Sequence, residues 1–157
     1  MPGSKRSADC GFDDDQNGTG ADYLKRFGPT LFVDIGLDPS YAPQSRNPES
    51  ISVASDLPAL VDTGASETFI DTQLAIALNL PIIDRDQPLA GAGGEHKADV
   101  YLARVRIPAL DFTIYGKFYG VNLTEGGVMH RALIGRTFLQ DHMLVYRGKT
   151  GKVTLSG

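Results

Sequence analysis

An apolar stretch, Ala59-Leu60-Val61, delivers a carboxylate, Asp62, directly into a turn of small residues, Thr63-Gly64-Ala65-Ser66. Gly64 permits close backbone approach, and the Thr63 and Ser66 hydroxyls, with nearby amides, can fix the carboxylate by hydrogen bonds. The result is a rigid, partly buried acid suited to proton transfer. The competing reading of the same residues is an Asx-turn in which Asp62 merely caps its own backbone. A second stretch, Ala132-Leu133-Ile134-Gly135-Arg136-Thr137-Phe138-Leu139, is an apolar strand that ends in Gly135, 73 residues after Asp62. Taken alone, it reads as a buried strand whose glycine serves packing.

The remaining reactive side chains offer less. Cys10 is the only cysteine and lies in a polar stretch, so it cannot form an internal bridge and reads as a bystander thiol. His96, His130 and His142 lack i, i+4 or Cys-x-x-Cys support, which predicts no metal site. The Gly91–Lys97 stretch is not followed by Gly-Lys-Ser/Thr, which disfavours a phosphate loop. Arg104 and Arg106 alternate with apolar residues and read as a solvated strand face, whereas Phe112, Ile114, Phe118 and Tyr119 read as core.

Together the two motifs resemble those of the retropepsin-like aspartic proteases, the single-domain relatives of pepsin. The resemblance runs from about Thr30 to Leu155, roughly four-fifths of the chain. It implies an all-β fold, a single-lobe closed β-barrel with one or two short helices. Because the chain has one Asp-Thr-Gly, it also implies a two-fold homodimer in which Asp62 meets its symmetry mate. One carboxylate then acts as base on a water and the other as acid toward a peptide carbonyl, with neither metal nor cofactor. By the same resemblance, Thr63 would hydrogen-bond across the dimer axis and Gly64 would contact the peptide. Ala65 and Ser66 would line the cleft floor. Gly91, Ala92, Gly93 and Gly94 would belong to a flap closing over substrate, and Leu133, Ile134 and Gly135 would pack beneath the catalytic loop. Viral members usually carry an Asp after Gly-Ala that pairs with the Arg of the second motif. Here that slot is Ser66 followed by Glu67, which leaves Arg136 to pair with Glu67, to hydrogen-bond to Ser66, or to have no ionic partner. A terminal hairpin at Met143–Leu155 favours the non-viral, bacterial-type branch. A non-catalytic dimeric peptide-binding scaffold with the same fold is the alternative.

Several elements must position these residues. Residues 1–28, with Asp13-Asp14-Asp15 and little apolar periodicity, read as a flexible polar tail or pro-segment. The dimer itself could remove it near Lys25-Arg26-Phe27-Gly28. Residues 29–157 form the protease domain. Thr30–Leu37 reads as a strand and Pro39–Ser50 as an exposed loop. Ile51–Val61 reads as a strand interrupted by a turn at Ser55-Asp56. A helix is predicted from Asp71 as N-cap through Leu74, Ala77 and Leu78, stopped by Asn79 and Pro81. Val100–Ile107 reads as a half-buried strand with Val100, Leu102, Val105 and Ile107 inward. Phe112–Val121 is a further strand, Gly135–Asp141 a short helix, and Met143–Tyr146 with Val153–Leu155 a hairpin.

The chain has 157 residues, which suits one domain. Eighteen glycines and nine prolines exceed the usual ~12% combined share and signal many turns and short strands. A net charge of −4 gives no footprint for a nucleic-acid backbone. No run approaches the ~18 apolar residues of a membrane span, and residues 1–20 lack a signal-peptide core, so a cytoplasmic location is expected, unless the chain is a fragment of a longer precursor.

Overall fold

The computed structural model describes residues 6–41, 53–91 and 94–157. Its strands are β1 (Ser7–Asp9), β2 (Thr30–Gly36), β3 (Val53–Val61), β4 (Phe69–Asp71), β5 (Ile82–Gly91), β6 (Gly94–Ile107), β7 (Phe112–Val121), β8 (Ala132–Ile134), β9 (Met143–Arg147) and β10 (Lys152–Ser156). Three short helices accompany them among the described residues: α1 (Gly20–Phe27), α2 (Thr72–Ala77) and α3 (Arg136–Leu139). None is long and apolar enough to cross a membrane.

The larger sheet runs in the order β2-β3-β8-β4-β7-β6-β5, and β2 also pairs with β6. That pairing closes six strands into a barrel, so the hydrogen-bonding edges of those strands are satisfied by one another. β6 is long enough to share one edge between two partners. Its outer half pairs with β5 from Tyr101 to Gly94, and Arg104–Arg106 pair with Gly36–Asp34 of β2. Val33, Ile35, Ala103, Val105, Ile107 and Ile134 are fully enclosed within. The inward set on β6 differs from the expected one, because Tyr101 and Ala103 are buried while Leu102 is only half-buried. Of the four β7 residues read as core, Phe118 alone is buried; Ile114 and Tyr119 are half-buried and Phe112 is exposed.

β3 is continuous where a turn at Ser55-Asp56 was expected. The register slips between Val33 and Ile35 of the facing strand. Asp56 takes a φ of 57°, and its N–H donates to the Asp34 carboxylate at 2.9 Å. The polar pair is therefore a bulge, which bends a strand without ending it. Pro39–Tyr41 forms a 3-10 turn; the rest of the expected Pro39–Ser50 loop lies outside the described residues.

The reading of residues 1–28 as a flexible tail is corrected for residues 6–28. β1 pairs antiparallel with β10, which pairs with β9 in a three-stranded sheet. Ala8, Cys10 and Leu24 are buried. The acidic run that suggested disorder instead supplies hydrogen-bond acceptors for a turn. Asp15 accepts from the Asn17 and Gly18 amides, and Asp14 accepts from Gly20 at 2.7 Å. Thr19 then caps α1 by accepting from Asp22, and Lys25 and Arg26 occupy its last turn, where cations favour the helix dipole. Burial of Leu24 alone is worth about 2 kcal/mol. Enclosure, and secondarily the Asp9 charge, pushes the Cys10 thiol up to about 12, so it is an unreactive core group.

α2 begins as expected, with Asp71 accepting from the Leu74 amide at 3.2 Å. Asp71 does more than cap. It is 1% exposed and also accepts from the Leu123 and Thr124 amides at 3.0 Å and from Thr124 Oγ1 at 2.8 Å. Burial works to raise its pKa, but these bonds to the charged form outweigh it, and the net direction is downward. A lowered folded-state pKa contributes stability above the unfolded value and loses it as pH falls. Asp71→Ala should therefore cost about 3 kcal/mol near neutral pH, with the gap from wild type shrinking below about pH 4. Urea unfolding at both pH values checks this; an equal gap at pH 3 and pH 7 contradicts it.

Candidate active site

The expected motif residues meet where β3 and β8 run side by side. The two strands pair in parallel, Ala59 with Ala132, Leu60 with Leu133 and Val61 with Ile134. Both chains leave the barrel at the same level. The Asp62 N–H donates to Ile134 O at 2.9 Å, which extends the ladder by one bond into the turn. Asp62 is half-buried, while Thr63, Gly64 and Ser66 are exposed and Ala65 is half-buried. Asp62 Oδ1 accepts from the Gly64 N–H at 2.9 Å, and Asp62 O accepts from Ala65 at 3.2 Å. This is the local pattern of an Asx-turn. Among the described residues the Thr63 and Ser66 hydroxyls make no hydrogen bond to the carboxylate, so a backbone amide does the work expected of them.

What distinguishes this turn from an isolated one is the second motif packed against it. The Arg136 N–H donates to Ala65 O at 2.8 Å and the Thr137 N–H to Ser66 O at 3.1 Å. The Arg136 guanidinium donates to Thr63 O at 2.7 Å. Of the partners considered for Arg136, neither Glu67 nor Ser66 is the one found; the guanidinium clasps the backbone of the turn itself. Gly135 fits because a Cβ there would overlap the Glu67 carbonyl and lie 2.9 Å from Ala65 O. Leu133 is half-buried and Ile134 fully buried beneath the turn.

Sequence reasoning missed Thr68. It is 6% exposed; its Oγ1 accepts from the Gly135 N–H at 3.3 Å and lies 3.5 Å from Thr137 Oγ1. A hydroxyl six residues beyond the carboxylate, at the start of the apolar Phe69-Ile70 pair, was the available signal. Phe69 and Ile70 then pair antiparallel with Leu133 and Ala132, while β4 as a whole pairs parallel with β7.

The glycine-rich stretch closes the β5–β6 hairpin, with Gly91 paired to Gly94. Ala92 and Gly93, expected at a flap tip, lie outside the described residues. No hydrogen bond among the described residues joins Gly91 or Gly94 to residues 62–66. Below the hairpin is a cleft of about 580 Å³ whose lining includes Leu89, Lys97, Phe69, Tyr101 and Val121. It offers apolar walls with charged groups at the rim, a combination suited to peptide side chains.

A single-lobe closed barrel that delivers an Asp-Thr-Gly turn against a strand ending in Gly-Arg is a retropepsin-like fold. A retropepsin-like aspartic protease from Rickettsia conorii shares it at 14% identity and a TM-score of 0.51, over 98% of this chain and 93% of that one. EIAV protease complexed with the inhibitor HBY-793 is similar at 19% identity and a TM-score of 0.42, over 72% of this chain and 86% of that one. No curated protein matches the sequence. The aspartyl protease family model matches residues 54–138, more than half of the chain, and the chain belongs to that family.

Proposed function

We propose that the chain is an aspartic endopeptidase that works as a homodimer, each copy contributing one Asp62. The observation that carries this reading is the single carboxylate fixed at the mouth of the barrel. One of its oxygens is tied by Gly64, its backbone is tied by Ile134, and the turn that carries it is exposed. One such acid lacks the partner that general acid–base hydrolysis needs. A two-fold axis through the turn supplies it. Two adjacent carboxylates resist double ionisation, and sharing one proton is the established behaviour of aspartic-protease dyads. The ionised member takes a proton from water as the water attacks the scissile carbonyl, and the protonated member donates to the carbonyl oxygen. Thr63 is exposed on the turn and in such a dimer would bond across the axis, with Gly64, Ala65 and Ser66 as a floor for an extended peptide. The β5–β6 hairpin, with Gly91, Ala92, Gly93 and Gly94 at its end, serves as the flap.

Turnover of a fluorogenic peptide, blocked by a statine-type mimic of the tetrahedral intermediate, tests the reading. Specific activity should fall on dilution as the dimer dissociates. Binding of peptide without turnover at any protein concentration would instead identify a scaffold.

Self-removal of residues 1–28 would strip Ala8, Cys10 and Leu24 from the core and leave the β10 edge open. The full-length chain is therefore expected to be the working form, and intact mass after prolonged incubation at acidic pH should be unchanged. An active product beginning near Gly28 would overturn that expectation.

A further inference from the structure

His130 is 3% exposed and has no part in the site as described so far. Its Nε2 lies 2.9 Å from Thr30 Oγ1, on a residue that is itself 6% exposed. The same hydroxyl lies 3.0 Å from Gly28 O, which can only accept. A hydroxyl has one proton, and here it goes to the carbonyl, so the imidazole must be the donor and carries its proton on Nε2. A buried relay thus runs from ring to hydroxyl to carbonyl.

The three groups come from three segments. His130 precedes β8, Thr30 opens β2, and Gly28 ends α1. β2 and β8 are the two neighbours of β3, so the His130–Thr30 bond joins the chains that flank the strand carrying Asp62. Each flank holds one of two consecutive amides at the exit of β3. The Val61 N–H donates to Pro29 O at 2.8 Å, and the Asp62 N–H donates to Ile134 O at 2.9 Å. Pro29 adjoins Thr30. On the other side, the Arg131 N–H donates to Pro58 O at 2.8 Å, which fixes the His130 segment to β3 as well.

We propose that His130 and Thr30 are positioning residues for Asp62. Their bond locks the entry of β2 to the entry of β8, and thereby sets the pitch of the Val61–Asp62 peptide and the direction in which the carboxylate leaves the barrel. This rests on the reading of Asp62 as the catalytic acid. On that reading peptide is held by other groups than the carboxylate, so a drift of Asp62 by a fraction of an ångström lowers kcat and spares KM.

Three full-length variants test it: Thr30→Val, which removes the hydroxyl at nearly constant shape, His130→Leu, and His130→Gln, whose amide can still donate to Thr30. Amide hydrogen exchange is read at Val61 and Asp62, with Val105 and Val153 as distant core references. In Thr30→Val and His130→Leu, Val61 should exchange about tenfold faster while the references hold, with kcat lowered about tenfold and KM unchanged. His130→Gln should restore both. Unchanged Val61 protection in the two deletions, loss of protection in step with Val105 and Val153, or failure of His130→Gln to rescue overturns the proposal. If one deletion does not fold, the other carries the comparison. A wild-type chain without turnover would overturn the protease reading instead, and the exchange rates would still decide whether the tie sets the turn.

Discussion

Under the proposed dimeric mechanism, Asp62→Asn should abolish peptide cleavage while leaving the dimer and its thermal stability intact. The amide is isosteric with the carboxylate, and its oxygen can still accept from the Gly64 N–H, so the turn has no reason to reorganise. The chemistry is lost because an amide can neither take a proton from water nor share one with its mate. The fall in kcat should be about 1,000-fold or more, the scale on which loss of an essential acid–base group shows itself. Mixing wild-type and variant chains sharpens the test. Heterodimers hold one carboxylate and should be as inactive as the variant, so wild-type activity should decline as excess variant exchanges into its dimers. Activity that stays proportional to wild-type concentration would mean that each chain works alone.

Gly135→Ala should be the most damaging single-methyl change in the site. The added Cβ would overlap the Glu67 carbonyl and press on Ala65 O, and both neighbours are backbone, which cannot rotate aside. Relief requires β8 to retreat from the turn, breaking the Asp62–Ile134 and Arg136–Ala65 bonds that hold it. Overpacking of this kind costs about 3 kcal/mol, or a fall of about 10 °C in Tm for a domain of this size. Cleavage should drop by about 100-fold beyond what lost stability explains, because the aspartate moves with the turn. Thermal unfolding and kcat measured on the same preparation check both parts. A variant with wild-type Tm and kcat would show that the turn and β8 are not in contact in solution.

The parts of the fold that were legible in the sequence are those written in short-range code. The Asp71 cap and α2, the extent of β7 and the β9–β10 hairpin are all legible from adjacent residues, whereas the meeting of the Asp62 turn with Gly135 follows only from the family resemblance. What escaped depended on partners distant in the chain. The acidic run before α1 resembles a disordered tail because its carboxylates satisfy amides a few residues on, and only three buried side chains, too few to make a period, anchor the segment. Ser55-Asp56 resembles a turn because the sequence does not reveal that Asp34, on the facing strand, catches the Asp56 amide. The phase of β6 was misread because one strand serves two different partners along a single edge. The partner of Arg136 stays open in the sequence among Glu67, Ser66 and no ionic partner, because a backbone carbonyl 73 residues away leaves no mark on composition.

The pairing of β1 with β10 joins Ser7–Asp9 to Thr154–Ser156, across nearly the whole length of the polypeptide. During synthesis the first strand leaves the ribosome long before its partner exists, so Ala8 and Cys10 stay in water until translation of β10 is complete. A product that stops short of β10 lacks this seam. The three-stranded sheet therefore closes only once β10 has been made, and the N-terminal segment must wait for it.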